Sequence, residues 1–485
     1  MSNPSPYTPS TSVAAPASNS TPSNQELPKK GVRWWLILKI FAIPFIVIWA
    51  IVFMFRIGWT IRDNMGRNAM VSEIQKLNED GFSVGNETSA NRYLERTSQQ
   101  NTEAWLQVFG ACESDSFVAS VTGVPALDRK VEIDEFADDF DTSIDWQFAE
   151  VCKRFTAEQT DLVEQIRSLA SADQPVYFPI QFQSMQTLLP EVQSIRTVAW
   201  VIRIDAQVAI HLQDAERASR DILTLMSLSR TADAVPFTVS KLVGVAIRRM
   251  AMRALQDAIK VDLFSEQQLL EIDRVIEKNG DIGERWSVMM GDEMALSLLV
   301  FETPDLTMKA KKPIPARGHD AVYYIDLMRK AIEIPSDDWR VLFDLSLELE
   351  SKLLSDTKSF PKQVDLILTG LLAPSFNAIA TALINDSQLH RQARVAIAIR
   401  LYSRRHKELP SNLAMLPEEL SALKPFGGLP FGYTIADRRS ALWGFDVSNK
   451  QQQTPASLPI TNQPNVDALR NRELVWWFYE KDSAR

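Results

Sequence analysis

Cysteine and histidine are scarce in this chain. Its 485 residues include two cysteines, Cys112 and Cys152, and four histidines. Because no CxxC pair and no HExxH spacing occurs, a structural zinc site has almost no ligands to draw on. The spacing of the two cysteines permits a disulfide if this part of the chain lies outside the cytoplasm, and it is equally compatible with two free thiols.

The familiar sequence signatures of catalysis are also absent. There is no GxSxG elbow, no P-loop and no dinucleotide-binding fingerprint. The net charge of −9 argues against general nucleic-acid binding, because phosphate contacts require a basic face. From the sequence we therefore assign no catalytic, cofactor-binding or metal-binding residue, and we expect no nucleic-acid partner.

The chain does contain a long apolar run near its N-terminus. Ile40–Phe55 is free of charge, with Trp34 and Trp35 before it and Trp59 after it, where indoles favour the headgroup level of a membrane. A helix over 34–59 would be about 39 Å long, enough to cross a hydrocarbon core of ~30 Å. We predict that 34–59 is a transmembrane anchor that contacts the lipid bilayer. Its interior carries no ionisable side chain, so we expect no ion or proton path through it.

The segment before the run differs in composition. Residues 1–28 are rich in Ser, Pro, Asn and Thr, and such a sequence cannot offset the entropy cost of ordering. We predict a disordered tail over 1–33. Because the run lies so far inside the chain, an uncleaved signal anchor is favoured over a cleaved signal peptide.

The basic residues on either side of the run narrowly favour a cytoplasmic N-terminus. The large acidic remainder of the chain favours the same orientation. We therefore expect a single-pass protein of the inner membrane with its body outside the cytoplasm. The residues counted are Lys29, Lys30, Arg33 and Lys39 before the run, and Arg56, Arg62 and Arg67 after it.

The remainder predicts a mainly α fold. Two long periodic segments, Val192–Leu212 and Asp214–Ser229, are joined by almost nothing, which predicts a helical hairpin. Ser265 followed by Gln268 predicts a capping box at the start of another helix. We divide this part into a juxtamembrane and acidic segment (60–150), a hairpin-rich helical body (151–386) and a small α/β C-terminal region (387–485).

A second apolar stretch, Leu366–Ile384, also lacks charge. Gly370 and Pro374 interrupt it, which favours a buried helix that begins near Ser375. A second membrane span remains the alternative.

The C-terminal region predicts a helix from about Ser387 to His406, followed by a small sheet packed on it. Glycine and proline punctuate the chain there, between short apolar runs that are typical of strands. The runs are Tyr433–Ile435, Ala441–Phe445 and Leu474–Tyr479.

Two acidic groups are the candidates for chemistry. Seven acids between Glu132 and Asp145 suggest calcium, but the segment lacks the central Gly and closing Glu of an EF-hand, so a solvated acidic face is favoured. Glu284, Asp292 and Glu293 could serve as acid and base if their environments separated their pKa values. Ion pairs between helices, beginning with Arg285, are the favoured interpretation.

Among the histidines, His406 is the one with a structural explanation in the sequence. His406 ends a basic helix, where a cation interacts favourably with the helix dipole. His211 lies at the predicted hairpin bend. His319 lies beside Asp320 in a predicted linker that runs from Thr303 to Asp320.

Several motifs follow one another along the chain in a characteristic order. The helix that contains Tyr402 and His406 is followed by short Pro-, Phe- and Gly-containing motifs, and a hairpin from Asp205 to Asp221 and a Gly283-Glu284-Arg285 motif precede it. This arrangement resembles uncharacterised single-pass membrane-anchored proteins of planctomycete bacteria, and its C-terminal segment is similar to the part of pseudopilins that follows their long helix. The resemblance implies a membrane-anchored helical protein and no particular activity. Lys424 stands where the resembling pattern has Asp. The C-terminal motifs are Leu409-Pro410, Pro425-Phe426, Gly428, Pro430, Tyr433 and Leu442-Trp443-Gly444-Phe445-Asp446.

These observations favour an envelope protein without enzymatic activity, whose helical body acts as a scaffold for a protein partner. One alternative is a carboxylate-dependent envelope hydrolase that uses Glu284 or the 132–145 segment. Another is an assembly component related to pseudopilins.

Overall fold

The computed structural model describes eleven stretches of the chain. The predicted tail (1–33), the acidic segment (132–145) and most of the predicted linker (303–316) lie outside them. The described residues are 34–80, 86–128, 146–172, 174–180, 189–279, 283–302, 317–359, 362–424, 431–436, 439–444 and 475–479.

The described chain is mainly helical, as predicted, with a small amount of strand. Its elements, in chain order, are α1 (Trp34–Glu79), α2 (Asn86–Arg96), α3 (Thr102–Cys112), α4 (Asp115–Ser120), α5 (Ala149–Glu158), α6 (Thr160–Ala170), α7 (Pro190–His211), α8 (Ala215–Ala234), α9 (Thr238–Lys260), α10 (Glu266–Lys278), α11 (Gly283–Glu302), α12 (Arg317–Ile332), α13 (Trp339–Lys358), α14 (Lys362–Asp365), α15 (Ile367–Leu372), α16 (Phe376–His406), a 3₁₀ turn (Leu413–Met415), α17 (Glu418–Ser421), β1 (Gly432–Ala436), β2 (Arg439–Trp443) and β3 (Val475–Tyr479).

The N-terminal apolar run begins a single helix of 46 residues, α1. Its large apolar side chains between Phe45 and Trp59 are 39–71% exposed and lie on every side of the helix. Two stretches of the described chain are long and apolar enough to cross a membrane, namely Phe45–Glu79, whose most apolar window is 0% buried, and Ile367–His406, whose window is 44% buried.

The chain from Ile61 onward is one compact unit, and the end of α1 belongs to it. Met70 and Leu77 of α1 are buried in a core shared with helices α11, α12, α13 and α15. Gly66 of α1 meets Gly318 of α12 at a close crossing, where an added Cβ on Gly318 would lie 2.0 Å from the Gly66 carbonyl carbon. Only glycine permits this backbone approach.

A second and larger core surrounds the hairpin helices α7, α8 and α9. The predicted hairpin is confirmed: α7 ends at His211, α8 begins at Ala215, and the side chain of Asp214 caps α8 by accepting from the Arg217 amide at 3.1 Å. The capping box is also confirmed, since the Ser265 amide donates to the Gln268 side chain at 2.9 Å. These elements depend on local signals and were readable from the sequence.

Helix α16 joins the two cores. Its first half, from Phe376 to Ile384, is buried with α11–α13, and its second half, from Leu389 to Ile399, is buried with the hairpin. The predicted helix start near Ser375 is confirmed, because Ser375 is the N-cap residue. The separate start predicted at about Ser387 is wrong: α16 runs without a break through that position, since it contains neither Gly nor Pro.

The three C-terminal runs form an antiparallel sheet in the order β1-β2-β3. It packs on α16, where the Gln392 side-chain amide donates to the Leu442 carbonyl at 3.1 Å. Its inner side chains Leu442, Trp476 and Phe478 belong to the core of the hairpin helices. The sheet therefore shares its core with the helical body.

The structure also tests the pairing of the two cysteines and the extent of the predicted linker. Cys112 and Cys152 are buried free thiols, which is the second of the two possibilities left open by the sequence. The linker predicted to extend to Asp320 is wrong at its end, because α12 begins at Arg317 and contains His319. Asp320 is held in this helix by tertiary contacts: its carboxylate accepts from the amide of Leu368 at 2.8 Å.

Candidate functional site

The body buries charge at two places that adjoin pockets. The first is a carboxyl pair, Asp205 of α7 and Asp221 of α8, whose side chains are 1% and 0% exposed. Arg167 of α6 contacts both, and its Nε donates to Asp221 Oδ1 at 2.8 Å. Arg217 donates two hydrogen bonds to Asp205, and its Nε lies 2.9 Å from Asp205 Oδ2. Three helices are thus joined through one buried ion cluster.

The two carboxyls of this pair influence each other. Burial and then the charge of Asp205 raise the pKa of Asp221 well above its usual range, despite the opposing effect of Arg167. Asp221 Oδ2 receives no hydrogen bond, and Asp205 lies within hydrogen-bonding reach. A proton on Asp221 would therefore be donated to Asp205, as in other coupled carboxyl pairs.

A pocket of about 460 Å³ opens beside the pair. Asp205 lines it together with Glu164, Arg167, Arg217 and Arg220, while Asp221 lies behind the wall. The arrangement can hold or move a proton, yet Asp205 and Glu164 are each paired with arginine side chains, and Asp214, which also lines the pocket, is used to cap α8.

The sequence pointed to these aspartates only because the Asp205–Asp221 hairpin resembles one in the membrane-anchored planctomycete proteins. A stronger signal was present, because Arg203 and Asp205 interrupt an otherwise apolar helix of Val, Ile and Ala. Charged residues in the middle of a buried helix need partners, so the pattern indicated an internal ion cluster. Arg203 has such a partner in Asp257, at 3.0 Å.

The second place is the cationic pocket, a pocket of about 370 Å³ lined by Arg96, Lys241, Arg248 and Arg285. Asp233 is the carboxylate in its wall. The remaining wall is apolar and consists of Val288, Met289 and Leu383.

Two carboxylates behind the wall form ion pairs with the cations of this pocket. Asp292 lies 3.1 Å from Lys241 Nζ and 3.3 Å from Arg96 Nη1. Asp386 accepts from Arg248 Nε at 2.8 Å and from Arg285 Nη1 at 3.2 Å. Both carboxylates are almost fully buried, so these ion pairs hold α2, α9, α11 and α16 together.

The acidic group predicted on α11 is divided by this packing. Asp292 faces the cations, whereas Glu293 accepts from the Thr238 amide at 3.4 Å, and burial raises the pKa of Glu293. Arg285 is in an interhelical ion pair, as predicted, with Asp386 as its partner. The Glu284 side chain lies outside the described residues, as does the whole 132–145 segment.

The histidines singled out by the sequence lie apart from both pockets. His406 stacks on Tyr402 with ring centroids 4.1 Å apart, and His211 packs against Trp146 at 5.6 Å. In the described stretches, no group of three His, Cys, Asp or Glu side chains is arranged to hold a metal ion.

Comparison of the chain with protein-family models, with curated proteins and with solved structures found no match. The chain's own geometry is therefore the basis for assigning a class of protein. In the described residues, that geometry shows a mainly helical protein with two stretches apolar enough to cross a membrane and with charged pockets in its body.

Proposed function

We propose that this is a single-pass membrane protein of a bacterial envelope, anchored by 34–59, whose helical body acts as a scaffold for a protein partner. The exposed apolar surface of α1 is the observation that carries the proposal. A helix that is apolar on all sides and exposed in the described part of the chain is typical of a segment that lies in hydrocarbon.

The second apolar stretch supports a single span, because α16 carries polar side chains that are satisfied inside the protein. Asp386, Gln392 and Arg400 are all buried, and Arg400 Nη2 donates to the Ile259 carbonyl at 2.7 Å. Charged groups at this density are costly in lipid, whereas in a protein core their partners offset the cost. We therefore assign α16 to the core of the body.

Orientation follows from the flanking charges, with the N-terminus in the cytoplasm and the body outside the inner membrane. The C-terminal sheet, which packs on α16, supports the proposed small α/β C-terminal region. We also propose that the chain is related to the membrane-anchored planctomycete proteins that it resembles. A pilin-like assembly role is less favoured, because more than 300 residues separate the anchor from the sheet.

A carboxylate-dependent hydrolase is the second candidate. The observation that favours it is the raised pKa of Asp221 next to Asp205, which lines a pocket. The scaffold is preferred because the pair already has a structural role: its ion pairs with Arg167 and Arg217 join three helices.

Protease treatment of spheroplasts tests the orientation. With a tag at each terminus, added protease is expected to remove the C-terminal tag and digest the body, while the N-terminal tag survives. A body that resists digestion until the membrane is broken would overturn the proposed orientation.

Affinity capture of the full-length chain after crosslinking in intact cells tests the scaffold. A specific protein partner, recovered in stoichiometric amount and lost after charge reversal on the body surface, is expected. If no protein is enriched, the scaffold assignment fails and the hydrolase candidate takes its place.

A further inference from the structure

Helix α15 presents apolar side chains to the outside of the body. Its inner side buries Leu368, Thr369 and Leu372. Ile367 and Leu371, four residues apart and therefore on one face of the helix, are 37% and 60% exposed in the described part of the chain. A helix whose outer face lies in water usually carries charged or polar side chains there, so the outer face of α15 is unusual.

A neighbouring helix extends this apolar surface. An added Cβ on Gly370 of α15 would lie 3.4 Å from the Thr357 methyl group of α13, so the two helices are in close contact there. Leu354, one turn before Thr357 on the same side of α13, is 47% exposed. We refer to Ile367, Leu371 and Leu354 as the α15 patch. Single exposed apolar side chains are common on proteins, whereas clustered ones mark a surface that contacts an apolar partner.

The α15 patch is tied to the chain just after the proposed anchor. Asp365, two residues before α15, forms an ion pair with Arg62 of α1. Arg62 follows Trp59 by three residues, and three residues of chain span at most about 11 Å in any conformation. The headgroup region of a bilayer is itself about 5–7 Å thick on each side of the hydrocarbon. With Trp59 at the headgroup level, Arg62 and its partner lie at or close to the membrane surface.

Further contacts fix the position of α15 in the body. The Asp320 carboxylate accepts hydrogen bonds from the amides of Leu368 and Thr369, at 2.8 and 3.0 Å. These bonds attach the first turn of α15 to the first turn of α12, whose Gly318 crosses α1 at Gly66. Helix α15 is thus connected to α1 both through its ion pair and through α12, and these contacts hold its apolar face outward.

We propose that the α15 patch lies in the boundary between headgroups and acyl chains of the membrane leaflet next to the body, so that the body rests on the bilayer. This inference depends on the proposed anchor over 34–59, because the anchor's end brings Arg62 to the surface. The short chain distance from Trp59 favours lipid over a protein as the partner of the patch. Apolar side chains inserted into this boundary are typical of helices that lie on a membrane surface.

Fluorescence quenching in lipid vesicles tests the proposal. The full-length Leu371→Cys variant is labelled with a nitrobenzoxadiazole dye and reconstituted into phosphatidylcholine vesicles that contain a lipid with a doxyl quencher at the top of its acyl chain. The matched control is Val118→Cys on α4, because Val118 is apolar and 58% exposed. The two native cysteines are buried, so the wild type treated in the same way should take up little dye.

Quenching in labelled Leu371→Cys is expected to be several-fold stronger than in labelled Val118→Cys, with emission shifted to shorter wavelength. Leu354→Cys, a second label position in the patch, should be quenched to a similar degree. Adding Ile367→Glu to Leu371→Cys should lower its quenching toward the level of Val118→Cys, because a carboxylate is costly outside water. Adding Val239→Glu, at a position 53% exposed on α9, should leave the quenching unchanged.

Vesicle flotation and circular dichroism separate the membrane contact of α15 from the anchor. Folded protein that does not float with the vesicles would overturn the anchor, and this proposal with it. Folded protein that floats, with equal quenching in Leu371→Cys and Val118→Cys or with none in either, would overturn the α15 contact and leave the anchor intact. A label on Leu371→Cys that is shielded from water but not quenched by lipid would also overturn the contact, because a protein would then cover the patch.

Discussion

Replacing Arg167 with methionine is expected to destabilise the body strongly. This arginine is 9% exposed and is the cation that Asp205 and Asp221 share. Methionine preserves most of the side-chain length. It leaves Asp205 paired with Arg217 and removes the arginine partner of Asp221. Breaking a buried ion pair by removing one partner typically costs about 3–5 kcal/mol, which we expect for Arg167→Met.

Asp221→Asn is the matched comparison, because it removes a charge from the same cluster. Burial and the charge of Asp205 raise the pKa of Asp221, which favours its protonated form, and asparagine has the shape of that form. Its amide can donate to Asp205, and its oxygen can still accept from Arg167. We therefore expect Asp221→Asn to change the free energy of unfolding by less than about 1 kcal/mol.

The pH dependence gives a further test, with its sign set by the raised pKa. Between the unfolded value of about 4 and the higher folded value, the native state binds a proton that the unfolded state has released. Stability from this group is therefore fully present below about pH 4 and declines as the pH rises through the folded pKa. Asp221→Asn should remove that decline, and Arg167→Met should extend it to higher pH, because Arg167 opposes the upward shift of the pKa.

Urea unfolding of the full-length chain in an uncharged detergent, followed by tryptophan fluorescence at several pH values, measures these effects. Urea is preferred because guanidinium would screen the ion pairs. A loss of stability in Asp221→Asn as large as that in Arg167→Met would refute the reasoning, since Asp221 would then be charged in the native protein.

Three further predictions concern local features. Ser265→Ala should lower the free energy of unfolding by about 1 kcal/mol through loss of the capping box, measured by urea unfolding with Ser265→Gly as the milder control. Gly318→Ala should destabilise the crossing with Gly66 by about 1–3 kcal/mol or more, whereas Gly58→Ala, where nothing lies within 4 Å, should not; equal unfolding midpoints would contradict the close approach. Burial raises the pKa of the Cys112 and Cys152 thiols to about 12, so a thiol reagent at about pH 8 should modify them only after unfolding, and rapid native labelling would show them to be accessible.

The features that the sequence predicted well are governed by neighbouring residues. The apolar run before Trp59, the hairpin bend after His211 and the Ser265 capping box each depend on a few adjacent side chains. Helices α7, α8 and α10 follow these signals closely, whereas α1 continues past Trp59 to Glu79. Strand positions were also readable: Gly432 begins β1 and Gly444 follows β2, whereas β3 is indicated by its run of apolar residues.

The charged pockets could not be predicted in the same way. Arg248 and Asp386 are 138 residues apart in the chain and meet only because α9 packs on α16. The same contact explains the error at Ser387: Asp386-Ser387 resembles a helix start, but the Asp386 carboxylate is used by Arg248 and Arg285 inside a continuous helix. Tertiary pairing therefore overrides the local capping signal.

Alkaline carbonate extraction of membranes tests the central claim, that residues 34–59 are the anchor, most directly. The full-length wild type should stay with the membranes, whereas Ile48→Arg/Val52→Arg, with two charges on the exposed apolar surface of α1, should be released as soluble protein, each arginine costing about 2.5–3.5 kcal/mol near the membrane centre. Val71→Arg, an exposed position further along the same helix, should remain with the membranes. Retention of the double variant would contradict the account and indicate that another segment, such as Ile367–His406, holds the protein in the membrane.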